Sequence, residues 1–219
     1  MTDRHARFVR DNTVTVAASL VPEITLHLAS EVTPLWHATE AALEKEGLPP
    51  PYWAFAWPGG QTFARLLLDR PELVRGRTVL DFAAGCGIAA IAAVKSGAVR
   101  VTACDIDSFA TAAIGLNAAL NDVALDITDS DLLAAPPASW DLILAGDVCY
   151  ERPMAERTLV WLNQAVAHGA EVLIADPGRA YLPKGGLLEI GRYDVPTSLD
   201  LENRKIMTTV IYRYTPTLC

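Results

Sequence analysis

The sequence predicts an α/β fold, a doubly wound, mostly parallel seven-stranded sheet with an N-terminal α/β extension. Three observations predict it. From residue 78 onward, short apolar runs alternate with helix-length segments, the pattern of βαβ units. The first run enters a glycine-bearing turn, "DFAAGCG" at 81–87, which opens a helix. Past residue 178 the alternation stops, and two strand-like stretches follow with no full helix between them.

Residues 1–60 read as an extension covering the core, and residues 61–219 as the main domain. Within the extension, "EITLHLAS" alternates like a short strand, and "TPLWHATEAALEKEG" reads as a helix capped by Thr33 with Pro34 in its first turn. "LPPPYWAFAWPGGQ" is dense in Pro, Gly and aromatic residues, and a helix is expected from Gln61 to about Asp69. In the domain, "TVLDF" (78–82) is a strand, and "GIAAIAAVKSG" is a helix stopping at Gly97. "VRVTACD" (99–105) is the next strand, and "SFATAAIGLNAALND" a helix that Ser108 helps to cap. "ALDITDSD" (124–131), "WDLILAGD" (140–147) and "AEVLIADP" (170–177) are further strands, with the helical "MAERTLVWLNQAVAHG" before the last. "GRYDV" and "KIMTTVIYRYT" close the sheet as a hairpin, with an antiparallel strand at about 206–214.

Bulk properties narrow the function. A chain of 219 residues with 51% hydrophobic content can bury a real core. A net charge of −8 argues against a general nucleic-acid binder. It leaves room for a basic partner such as a lysine-bearing protein surface. No apolar run approaches the ~20 residues that span a bilayer, so no membrane role is expected. The N-terminus has no apolar segment of secretory type, and Asp3 and Asp11 weaken a transit-peptide reading of Arg4, Arg7 and Arg10. Cys86, Cys104, Cys149 and Cys219 lack the spacing of a metal site, so no metal is expected and a reducing cytoplasm is.

Ligands of open α/β sheets bind at the carboxyl ends of the strands, where the 81–87 turn falls. Gly85 and Gly87 let backbone approach a ligand closely and begin the helix. Asp105, twenty residues after Gly85, closes the next strand and is placed to accept hydrogen bonds from ribose hydroxyls. Ile106 follows it. Ala83 stands where a first glycine belongs, and is tolerable if that position keeps a negative φ. Asp81 is an awkward neighbour for a pyrophosphate but a good one for an ammonium group. The loop therefore favours S-adenosylmethionine, which leaves S-adenosylhomocysteine as product, over NAD; an NAD-dependent oxidoreductase is the alternative of another class. Asp131 is a candidate for the adenine amino group, in competition with Asp129. Gly60 and Gln61 are candidates for polar or backbone contacts to the cofactor.

The substrate side follows the fourth strand, where Asp147 and Tyr150 form D-x-x-Y. A lysine amine has a pKa of about 10.4, so its neutral form near pH 7 costs roughly 4 kcal/mol. Asp147 can bind the ammonium and aim the lone pair, and Tyr150 can add a hydrogen bond or an aromatic wall. The absence of "NPPY" here counts against an amide or base nitrogen. Of Trp53 and Trp57, one indole can cover the adenine or line the lysine channel, with a core role as the plain alternative. Arg179, in "DPGR", can hold a carboxylate of a protein substrate or form a surface salt bridge.

"PYWAFAWPGGQ", "VLDFAAGCG", "ACDID", "GDVCY" and "IADPGR" occur here in the order seen in the seven-β-strand lysine methyltransferases. In particular the chain resembles the electron transfer flavoprotein β-subunit lysine methyltransferases. The resemblance covers about residues 51–179 and implies a Rossmann-like class I methyltransferase fold. It implies that Asp81, Gly85 and Asp105 serve S-adenosylmethionine, that Trp57 lies near it, and that Asp147 and Tyr150 face the lysine. It implies methylation of adjacent lysines on that flavoprotein's β-subunit, up to the trimethylated state, and the lack of a clear transit peptide suggests a bacterial member acting in the cytoplasm. A ribosomal-protein lysine or a small-molecule amine is the alternative target.

Overall fold

A computed structural model of the chain describes residues 3–30, 33, 35, 50–197 and 204–216. Its centre is a seven-stranded sheet in the order β5-β4-β3-β6-β7-β9-β8. The strands are β3 (Thr78–Phe82), β4 (Arg100–Cys104), β5 (Asp126–Thr128), β6 (Leu142–Gly146), β7 (Glu171–Asp176), β8 (Leu187–Pro196) and β9 (Ile206–Tyr214). The first five in chain order are parallel, and β9 runs antiparallel between β7 and β8. This is the doubly wound, mostly parallel α/β architecture expected from the alternation of elements.

Strand side chains alternate between the two faces. Val79, Val101, Leu142, Leu144 and Leu173 enter one apolar core with Phe63, Leu66 and Ile91. Leu80, Phe82, Ile143, Val172 and Ile174 enter a second core with Trp161 and Leu162. The helices supply the covers. Here α2 (Pro58–Asp69) and α3 (Ile88–Lys95) pack together on the first face, and α5 (Arg152–Ala167) covers the second. Residues 88–93 of α3 are buried without exception, which fits a helix apolar on all sides.

The N-terminal segment holds two elements with no clear mark in the sequence. One is α1 (Asp3–Asn12); the other is β1 (Val14–Ala17), which pairs antiparallel with β2 (Thr25–Leu28). α1 and β2 lean on α4 (Ser108–Leu120). Phe8 and Phe109 meet at 4.9 Å between ring centres. The buried Asn117 accepts from the His27 amide at 2.7 Å and donates to the Cys86 carbonyl at 2.8 Å. One side chain thus ties the hairpin to the glycine turn.

Several boundaries differ from expectation. The third strand shrinks from 124–131 to Asp126–Thr128, because a turn begins beyond it. The Gln61 helix starts at Pro58, since proline suits a first helical position with no amide to satisfy. The cap of α4 is Asp107, not Ser108: its carboxylate accepts from the Phe109 amide at 2.8 Å. The helix expected over 33–47 lies outside the described residues except for Thr33 and Leu35; the Thr33 hydroxyl bonds back to Ser30.

Candidate active site

Strand order reverses between β3 and β6, so the carboxyl ends of these two strands diverge into a crevice. A cavity of about 690 Å³ opens there. Asp81, Ala83, Gly85, Asp105, Ile106 and Asp131 are among its lining residues, as are Gly60, Asp147, Tyr150, Arg179, Trp53 and Trp57. Gln61 and Gly87, also expected at the site, stand behind the wall.

The glycine turn is built from left-handed backbone. Gly85 has φ +54 and Gly87 +78, values that suit glycine. Ala83 has φ +55, which overturns the expectation of a negative φ at that position. The turn is fastened to β4, with the Gly85 amide donating to Asp105 Oδ2 at 2.9 Å and the Ala84 amide to the Cys104 carbonyl at 2.9 Å. A Cβ on Gly87 would lie 3.1 Å from the Ile114 side chain, so that glycine serves helix packing. Asp105 Oδ1 accepts from the Asp107 amide at 3.0 Å, which fixes the carboxylate and leaves lone pairs for a ligand. Burial raises the Asp105 pKa against these hydrogen bonds.

Asp81 is buried at the root of the turn. Its Oδ2 accepts from the Ala90 amide at 2.9 Å, and burial pushes its pKa up to about 8. A carboxyl so placed is stabilised by a cation and destabilised by a phosphate. Ile106 is 74% exposed beside Asp105 and offers an apolar face to a flat ring. Asp131 accepts from the Leu133 amide and pairs with Arg157 at 3.2 Å, and it lines the cavity where Asp129 does not. Ammonium, ribose and base thus each have a fitting group: Asp81, Asp105 and the Ile106–Asp131 edge. These are the parts of S-adenosylmethionine, and the residues fit it.

Across the crevice, Asp147 follows β6 with φ +53, a conformation that Asp tolerates better than most residues. Its Oδ2 accepts from the Gly59 amide at 2.6 Å, and Oδ1 pairs with Arg179 Nη2 at 3.2 Å. Burial raises the Asp147 pKa to about 6, with the Arg179 charge opposing the shift. Arg179 thus has a partner inside the protein, beyond the two roles read for it. Its backbone is set by Asp176 Oδ1, which accepts from the amides of Gly178 at 2.7 Å and Arg179 at 2.6 Å.

Gly59 has no place among the residues picked from sequence, yet the site turns on it. A Cβ there would come within 2.5 Å of Asp147 Oδ2 and 2.9 Å of the Ala175 carbonyl. The paired glycines of "WPGG" are the signal that carries it: backbone must pass close to backbone. Gln61 is buried and holds the N-terminal segment, accepting from Ser19 and the Leu20 amide and donating to the Ala56 carbonyl at 2.7 Å. Trp53 is 2% exposed and stacks on Phe109 at 6.3 Å, a core position with an edge on the cavity. Trp57 donates its indole N–H to the Tyr52 carbonyl at 2.7 Å.

The chain is similar to known proteins in sequence and fold. A family profile described as Ribosomal protein L11 methyltransferase (PrmA) matches residues 66–146. The chain is similar to the Electron transfer flavoprotein beta subunit lysine methyltransferase of Danio rerio, 41% identical over 214 residues, covering 94% of this chain and 82% of that protein. It is 38% identical over 219 residues to the Homo sapiens protein of the same name, covering 95% and 81%. Among solved structures, magnesium protoporphyrin IX methyltransferase from Synechocystis with bound SAM shares the fold at a TM-score of 0.51, with 18% identity, covering 70% of this chain and 79% of that one.

Proposed function

This chain belongs to the electron transfer flavoprotein beta subunit lysine methyltransferase family, and from that premise we propose that it methylates lysine side chains of an electron transfer flavoprotein β-subunit, using S-adenosylmethionine. The observation that carries the reading is the Asp147 carboxylate, fixed by Gly59 and Arg179 in the same cavity as the Asp81–Asp105 ligand groups.

When bound, S-adenosylmethionine supplies an electrophilic methyl on a sulfonium. Every other requirement falls on side chains of this protein. Asp105 takes the ribose hydroxyls, Asp81 the ammonium, and Asp131 with Ile106 the adenine. Trp57 lies near the cofactor, and the Gly60 backbone borders it. Asp147 orients the incoming lysine nitrogen, and Tyr150 stands on the same loop beside it. Near pH 7 the neutral amine costs roughly 4–5 kcal/mol. Arg179 lowers that barrier, because an ammonium arriving at Asp147 meets a carboxylate already paired with a guanidinium. The amine therefore gives up its proton here more readily than it would beside an unpaired carboxylate, and attacks in its uncharged, nucleophilic form. Holding it in line with the methyl supplies an orientation effect worth ~7–11 kcal/mol in model systems.

An electron transfer flavoprotein β-subunit suits this reading better than a ribosomal protein. The L11 profile spans only residues 66–146, the cofactor-binding part, while the flavoprotein relatives extend over the segments that carry Tyr52, Trp57 and Arg179. Residues 1–60, as a cover on the core, would bring Trp53 and Trp57 to the substrate side. We infer a reducing cytoplasm as the setting of the reaction, a reading supported by Cys86, Cys104 and Cys149, which are buried as free thiols.

Radiolabelled S-adenosylmethionine with a purified electron transfer flavoprotein, and separately with ribosomal protein L11, tests the target. Label is expected on β-subunit lysines. Asp147→Asn, which keeps the shape and loses the charge, is expected to slow transfer by roughly 10²-fold or more. Label on L11 alone would overturn the target and keep the chemistry.

A further inference from the structure

Lysine can be methylated more than once, and each methyl changes what the site must hold. An unmethylated ammonium offers three N–H donors to Asp147; a trimethylated one offers none. The carboxylate alone therefore loses its hydrogen-bonding grip as methylation proceeds. What grows instead is a bulky, weakly hydrated cation, the species that aromatic faces bind well.

Such faces stand at this cavity. Tyr52 is 47% exposed and Tyr150 40%, and among the described residues these are the exposed aromatic side chains. They adjoin each other, 5.7 Å between ring centres and inclined at 58°. Tyr52 also meets Trp57 at 6.0 Å and 64°. All three line the cavity that contains Asp147. The inclinations make them the adjoining walls of a box, not a flat stack. The walls are fixed from several sides. Tyr52 lies in a short 3₁₀ turn (Tyr52–Ala54), and its carbonyl accepts the Trp57 indole N–H. Phe55 backs Trp57 at 5.8 Å, and Tyr150 is three residues from Asp147 on one loop. Two large aromatic rings left open to water at a concave site are unusual unless a ligand covers them.

We propose that Tyr52, Trp57 and Tyr150 form an aromatic clamp for methylated ammonium, which with Asp147 keeps a partly methylated lysine seated for the next transfer. This rests on the lysine reading above. In each round the nitrogen forms a bond to the methyl carbon as the carbon–sulfur bond breaks, and the electron pair leaves with sulfur. The new methylammonium then loses a proton to water before it can attack again. Between rounds the clamp holds the cation while the spent cofactor exchanges. Selection between methylation states then falls to Tyr52, a residue outside D-x-x-Y.

The test uses the full chain saturated with S-adenosylhomocysteine. The probes are Nα-acetyl-Nε-trimethyl-lysine amide and its neutral carbon isostere, with tert-butyl in place of trimethylammonium. Binding is read by NMR on the Trp57 indole N–H, assigned with Trp57→Phe. The cation is expected to bind roughly tenfold tighter than the isostere. Tyr52→Leu is expected to remove most of that preference, and Tyr52→Phe to keep it. Equal affinity for the two probes, binding of neither, or an unchanged preference in Tyr52→Leu would overturn the clamp. None of these readouts uses a protein target, so the clamp and the flavoprotein assignment stand or fall separately. In methylation assays on whichever protein accepts label, Tyr52→Leu is expected to accumulate mono- and dimethyl-lysine where the wild type proceeds further.

Discussion

Ala83 is the residue at which the glycine turn departs from the common pattern, and its backbone shows what the departure costs. At φ +55 its Cβ crowds the following carbonyl, a strain of roughly 1–2 kcal/mol. Ala83→Gly relieves the strain but adds freedom to the unfolded chain, which offsets about 0.4–1 kcal/mol. The expected result is a net gain of about 0.5–1 kcal/mol, read as a higher urea midpoint at constant slope. A loss would mean that the methyl contributes more through packing against the second core than its conformation costs. The sequence marks this position only by its missing glycine; the strain shows in the positive φ, because alanine in itself reads as compatible with a negative one. Gly85 and Asp105 were legible for the opposite reason. A left-handed turn and a strand-end carboxylate each leave few residue types to choose from. Asp147 was legible as a strand-end acid too. Its partners were not, because Gly59 and Arg179 lie 88 and 32 residues away along the chain.

The start of α2 shows an element completed by a distant residue. Its N-cap, Trp57, offers no side-chain acceptor, and Asp147 takes the amide of Gly59 instead. A carboxylate at a helix N-terminus interacts favourably with the aligned peptide dipoles. Gly59→Ala forces a Cβ to 2.5 Å from that carboxylate and 2.9 Å from the Ala175 carbonyl, so β6, β7 and the helix must part. We expect thermal unfolding to show a loss of more than about 2 kcal/mol, in the range of overpacked cores, together with loss of methyl transfer. Gly60→Ala, whose Cβ meets only the Ile88 Cγ2 methyl at 3.0 Å and no backbone, is expected to cost less. Equal costs would show that the approach at Gly59 is not tight. Strand and helix order from residue 58 to 214 was legible because buried strands and a helix apolar on all sides leave strong patterns. The first helix and β1 were not, whereas β2 was legible in the alternation of "EITLHLAS". The four residues of β1 are all exposed, and α1 buries only a narrow stripe around Val9.

Across the whole molecule, the buried carboxyls of the site make folding and binding sensitive to protons. Asp81 and Asp147 have folded-state pKa values of about 8 and about 6, both above the ordinary 3.8. The unfolded chain gives up these protons first, so stability falls as pH rises from about 4 to about 8. His27 acts the other way: burial lowers its pKa, and its contribution is lost as pH falls below 6.5. Between pH 7 and 8 the Asp81 effect should dominate, and Asp81→Asn is expected to flatten the decline in Tm. A ligand ammonium beside Asp81 restores the ionised carboxylate, so binding S-adenosylhomocysteine should release close to one proton at pH 7. Calorimetry in buffers of different ionisation heat reads that number directly. A value near zero in the wild type would place the ammonium elsewhere.

The position of β9 has a consequence for how the chain is made. This strand is the last of the sheet in sequence, yet it lies inside it, between β7 and β8. Until residues 206–214 leave the ribosome, β8 has no strand to pair with, and β7 presents an open edge in its place. A nascent chain stalled after β8 carries an unpaired ten-residue strand next to an exposed apolar edge, a template for pairing with other chains. The hairpin therefore closes late, and translation of its final strand is the step that shields the sheet.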